Sequence, residues 1–168
     1  MTGSHCARFA YVALMVSLIP RIALATQTNL LGAALGAPKQ SPQITKVRIV
    51  RVDPWVARGL TPSPALFAKG QAVGDAEAIF EDSPGIGALI TTLQNAKIPA
   101  SEGCYGAAYT AQSMPVSWAV FLYNDDTQLA SIYLTRDGLC ASTGSHIYNV
   151  DPFALSIYLQ RSFSFMNY

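Results

Sequence analysis

A chain of 168 residues with 51% hydrophobic and 12% charged side chains can bury a sizeable core, which excludes an intrinsically disordered tail. Its formal net charge of +1 is spread thinly, so the basic stripe that a nucleic-acid partner requires is absent. The densest basic spot is Lys46, Arg48 and Arg51, which on a strand do not all share a face.

At the amino end, Arg8 precedes an apolar run from Phe9 to Ile19, then Pro20 and the small-residue pattern Ala23-Leu24-Ala25. Residues 1–25 read as a signal peptide cut after Ala25. Arg21 puts a charge beside the cleavage site, which makes a retained anchor the rival reading. That run is shorter than the roughly 20 apolar residues a membrane span needs, so no spanning segment is expected once the leader is removed. Arg8 and Arg21 leave with it, so nine basic residues face ten acidic ones and the net charge becomes −1. Cys6 leaves too. The pair that remains, Cys104 and Cys140, is 36 residues apart, which excludes a C-x-x-C motif and in an exported chain implies a disulfide.

Residues 26–42 are rich in Ala, Gly, Gln and Pro and read as a linker, or as more leader if cleavage falls later; residues 43–168 read as one α+β domain. Ile44 to Val52, bounded by Pro42 and Pro54, is the first strand. Pro54 to Gly74 reads as a loop with one helical turn at Pro64 to Lys69. Its Trp55, Leu66 and Phe67 either form a binding lip or tack the loop onto the core, and tacking is favoured because exposed large apolar groups need a partner. Ala76 to Phe80 is the second strand. In the helix that follows, Ser83 serves as N-cap, Pro84 takes the first position, and Ile86, Leu89, Ile90 and Leu93 make the apolar stripe. Pro99 stops it near Ala96 or Lys97.

A meander then runs from Met114 to Val150. Val116 to Tyr123 and Leu129 to Thr135 alternate with period two about the polar cluster Asn124 to Thr127, and Asp137-Gly138 is a hairpin turn leading to a third strand. Asp151-Pro152 opens a second helix that reaches about Phe163, and Phe163, Phe165, Met166 and Tyr168 end the chain as an apolar tail. The order β-β-α-β-β-β-α predicts a small antiparallel sheet with two helices packed on one face.

Chemistry is sparse. His146 is the one histidine after leader removal, so a His-rich metal site is not expected, nor is any other metal or cofactor. Gly144-Ser145-His146 sets a hydroxyl beside an imidazole, but strand neighbours face opposite ways, so the two should not meet. Gly85-Ile86-Gly87 at a helix start is a weak anion cradle without a lysine or phosphate-loop signature. Glu77, Glu81 and Asp82 are explained by the helix dipole, and Asp125-Asp126 by a turn. The tyrosines Tyr105, Tyr109, Tyr123, Tyr133 and Tyr148 exceed what one core face holds, and tyrosine is favoured in interfaces. With Trp55, Phe67 and His146 they form the candidate binding set. The expectation is a periplasmic or secreted, non-enzymatic binding or inhibitor-like module, with a protein or small-molecule ligand in the cell envelope. The alternative is a hydrolase-like enzyme using His146 with Ser145, Ser142 or a carboxylate brought close by folding.

Overall fold

The computed structural model describes residues 29–36, 42–53, 59–98, 104, 109–136, 138–150 and 152–164. Strand-forming runs and two amphipathic helices assemble there into one six-stranded antiparallel sheet with helices on it, as the alternating segments imply. The strands are β1 (Lys46–Arg51), β2 (Ala76–Phe80), β3 (Trp118–Asn124), β4 (Thr127–Leu134), β5 (Cys140–Ser142) and β6 (Ile147–Asn149), in the spatial order β2-β1-β3-β4-β5-β6. Four helices accompany them: α1 (Leu30–Leu35), α2 (Pro64–Ala68), α3 (Ser83–Asn95) and α4 (Pro152–Ser164).

Period-two alternation sends Val47, Ile49, Ala78, Val120, Leu122, Ile132 and Leu134 to one face of the sheet, where Leu30 of α1, Leu89 and Leu93 of α3, and Leu155 and Leu159 of α4 cover them. That is the larger core. The other face holds a smaller core of Val50, Met114, Val116, Ala119, Phe121 and Tyr133 around the Cys104–Cys140 disulfide, with Phe67 of α2 packed against it. The two helices expected on one face are there, joined by α1, while α2 takes the opposite face.

The α1 helix departs from the linker reading of residues 26–42. It is a six-residue helix capped by Asn29, whose side chain accepts from the Gly32 N–H at 2.8 Å, and closed by Gly36 at φ 71°. Its Leu30 is fully buried and the Leu30 N–H donates to the Ala96 carbonyl at 3.0 Å. A helix this short has too few residues to show a period, so composition hid it. The caps Asn29 and Gly36 were its visible signals.

At α3 the cap shifts by one residue. Asp82, not Ser83, takes the N-cap and accepts from the Gly85 N–H at 2.9 Å, because its carboxylate adds a favourable interaction with the helix dipole. Asp82→Ala is expected to cost about 1 kcal/mol in a denaturant-unfolding experiment, and Ser83→Ala much less. An equal cost for both would overturn the assignment.

The third meander strand is broken in two. Ser142 ends β5, Gly144 at φ 86° turns the chain, the Thr143 N–H donates to the His146 carbonyl at 3.1 Å, and Ile147 begins β6. At the other hairpins the sequence signals hold: Asp125 adopts φ 51° between β3 and β4, and Gly138 adopts φ 70° before β5. The Asp137 half of that turn lies outside the described residues.

Candidate functional site

Cross-strand register builds a cleft at one corner of the sheet. Arg48 and Val50 point from β1 to the α2 face, Phe121 from β3 stands opposite Arg48, and Glu77 from β2 stands opposite Val50. Phe67 of α2 reaches the same floor, packing against Phe121 with ring centroids 6.2 Å apart and against Tyr133 at 5.8 Å. The loop from Gly70 to Asp75 forms the far wall, and the open space between wall and floor is about 470 Å³. This volume falls within the range usual for small-molecule sites.

The wall stands close to the floor for a backbone reason. A Cβ at residue 74 would collide with Val50 Cγ1 and lie 3.0 Å from the Arg51 carbonyl oxygen, so only glycine lets the loop lie against β1. The Asp75 N–H donates to that same carbonyl at 2.8 Å.

One ion pair marks the rim. Arg48 Nη2 donates to Glu77 Oε2 at 2.7 Å, and the guanidinium carbon lies 5.5 Å from the Phe121 ring centroid. The Glu77 carboxylate raises the Arg48 pKa above its ordinary value against the opposing effect of burial, with a further contribution from Tyr123. Both partners are about two-fifths exposed, so the pair contributes little to stability and stays open to exchange with a ligand. Glu77 therefore serves Arg48 rather than the α3 dipole, which corrects the sequence reading of that carboxylate.

The candidate binding set divides into separate groups. Phe67, Tyr123 and Tyr133 meet on the cleft face; Tyr133 is only 4% exposed and acts as core, edge-on to Phe121. Lys46 Nζ lies 5.2 Å above the Tyr123 ring. Tyr109 is 39% exposed and away from the cleft lining. Trp55 and Tyr105 lie outside the described residues. Phe67 does tack its loop to the core, and in doing so forms part of the cleft floor. Sequence reasoning did not place Arg48, Val50, Glu77 and Phe121 together, since they come from three strands and only the register joins them.

His146 and Tyr148 form the second group, on the β5–β6 turn and β6, with rings nearly parallel and 6.2 Å apart. Contrary to the strand argument, His146 Nδ1 lies 3.0 Å from Ser145 Oγ, because both residues belong to the turn and strand alternation does not govern them. Ser142 is fully buried, its hydroxyl donating to the Ala111 carbonyl at 2.7 Å and accepting from the Gly144 N–H at 3.0 Å. It has no freedom to act as a nucleophile. Gln112 Nε2 also donates to the Gly144 carbonyl, fastening the turn to the loop before β3.

Burial pushes two phenols up. Tyr133 rises through desolvation, and so does Tyr158, whose hydroxyl donates to the Gly85 carbonyl at 3.2 Å with the Asp82 charge adding to the shift. A folded pKa above the ordinary value of about 10 favours the neutral phenol, so its stabilisation is complete below that value and is lost as pH rises through the folded one. Tyrosinate absorbance is therefore expected to develop late for these two residues, with stability falling over the same alkaline range. Ionisation of both in Tyr133→Phe and Tyr158→Phe difference titrations at the ordinary pKa would contradict this.

Among the described residues, no cluster of His, Cys, Asp and Glu could hold a metal ion, and no helix is long and apolar enough to cross a membrane. Comparison with protein-family models, curated proteins and solved structures finds no match to this chain, so its function has to be argued from the geometry of these two places.

Proposed function

We propose that this chain is an exported, non-enzymatic binding module whose ligand seat is the cleft between the α2–β2 loop and the sheet. The single observation that carries the reading is the cleft itself: an apolar floor of Val50, Phe67 and Phe121 beside an exposed Arg48–Glu77 pair, closed by a loop that glycine holds against β1. Apolar floors with a few placed polar groups are how proteins hold small molecules or an inserted side chain of a partner. Export is supported by the leader-like residues 1–25 and by the disulfide, which persists in oxidising compartments. The ligand belongs to the cell envelope or its surroundings.

A second reading rests on the 3.0 Å contact between His146 and Ser145, which is the geometry of a base on a hydroxyl. It is the weaker one because, among the described residues, no carboxylate is hydrogen-bonded to the other side of the ring to orient it. One experiment separates the two. Labelled protein is titrated with a library of small aromatic and aliphatic fragments while the methyl signals of Val50 and Val73 are followed, and hydrolysis of an activated ester is measured in parallel. Binding that moves these methyls and is lost in Gly74→Ala, with ester turnover no different from His146→Ala, is the expected result. Turnover that vanishes in His146→Ala, with silent cleft methyls, would replace the binding reading with the hydrolase.

A further inference from the structure

A separate cleft of about 260 Å³ opens at the end of β1, lined by Arg51, Asp53, Ser117, Trp118, Arg136 and Gln160. Two guanidinium groups and one carboxylate give it net positive charge, although the chain without its leader is net negative. Alternation along β1 turns Arg51 away from the face that carries Arg48 and Val50, so this cleft is distinct from the proposed ligand seat.

Arg51 packs on an aromatic side chain. Its guanidinium carbon lies 5.7 Å from the Phe163 ring centroid, and its Nε is shielded from water with no hydrogen-bond partner. With Nε covered, only the Nη groups of the fork remain to meet an acceptor from outside the protein. Arg48 Nε is shielded and unbonded in the same way, but the Arg48 fork already has the Glu77 carboxylate at Nη2. Nothing equivalent is bonded to the Arg51 fork among the described residues, and its guanidinium packs on the Phe163 ring instead.

We propose that Arg51 and Arg136 form a binding site for a small oxyanion, a carboxylate or phosphate group carried on a small molecule. The planar N–H pair of Arg51 matches two oxygens of either group, Arg136 supplies the second charge, and the Ser117 hydroxyl lies in the same lining. Trp118, which stands opposite Arg51 in the β1–β3 register and is 8% exposed, contributes to the same lining.

The test uses the indole N–H signal of Trp118 in the purified, labelled protein, titrated at constant ionic strength with inorganic phosphate in one arm and benzoate in the other. Saturable movement in either arm is expected, with the responding arm identifying the oxyanion. Apparent affinity should fall by about tenfold or more in both Arg51→Gln and Arg136→Gln, and also in Arg51→Lys, which keeps the charge but loses the fork. Lys97→Gln, an exposed cation elsewhere, should titrate like the parent. If Arg51→Gln fails to fold, Arg136→Gln and Arg51→Lys carry the same comparison. A Trp118 signal that moves in neither arm, or that moves equally in the parent and the arginine variants, overturns the proposal.

Discussion

Replacing both bridge cysteines, Cys104→Ala with Cys140→Ala, is expected to lower stability by about 3.5 to 4 kcal/mol and the melting temperature by roughly 10 to 15 °C. The two Cα atoms are 5.5 Å apart, within the range a disulfide spans, and both side chains are almost fully buried at the centre of the smaller core. The bridge closes a 36-residue separation, and the cost follows from the freedom the unfolded chain regains. A small further loss comes from the space left in the smaller core, which the two cysteines share with Met114 and Tyr133. Urea unfolding of the oxidised protein and the double variant measures the difference. Equal midpoints, or two reactive thiols in the unreduced protein, would remove the bridge from the account of stability.

Leu30→Ala is the second large effect, expected to cost about 3 kcal/mol. Leu30 is fully exposed to water in the linker reading and fully buried in the fold, so one substitution decides between them. A residue on a linker would change stability by no more than about 0.5 kcal/mol. Its packing neighbours lie across α3 and β4, and its backbone N–H closes the last turn of α3 through the Ala96 carbonyl at 3.0 Å. A chain begun at residue 43 should show the same loss with added fraying at the end of α3, visible as fast amide exchange from Leu93 to Ala96. A neutral Leu30→Ala would return α1 to the linker.

How much of this was legible in the sequence follows from the length scale of each signal. Ala76–Phe80 was read with its observed limits, and β1, β3 and β4 within a few residues, because alternation is a local property of five or more consecutive side chains. In the sequence α3 carried a cap and an apolar stripe, and α4 carried the Asp151-Pro152 start signal with apolar residues over more than half its circumference. The α1 helix, with six residues, and β5 and β6, with three each, fall below the length at which a period can be recognised. The contact of Ser145 with His146 was missed because Gly144 was read inside a strand instead of as the turn that separates two. The cleft was invisible for a different reason. Arg48, Glu77 and Phe121 are joined only by the pairing of β1 with two strands that lie far from it in sequence, and no spacing rule reaches that distance. The disulfide was legible because the leader reading sets Cys6 aside and leaves a single pairing, Cys104 with Cys140.

The strand order has a consequence for how the chain finds this arrangement. From β3 to β6 each strand pairs with the next in sequence, whereas β1 must reach across α2, β2 and α3 to join β3. Local hairpins close at a small entropic cost and distant pairings at a larger one, so the meander should assemble early and β1 should dock late with β2 alongside. The bridge reinforces this order, because the segment between Cys104 and Cys140 contains β3 and β4 and its oxidation shortens their search. Ile132→Val in β4 is then expected to slow folding, while Ile49→Val in β1 mainly accelerates unfolding. The reverse pattern in stopped-flow kinetics would place the nucleus at the β1–β2 pair. Late docking of β1 also means that both clefts, whose walls depend on Arg48, Val50 and Arg51, are completed only in the final step of folding, so neither can hold a ligand on a partly folded chain.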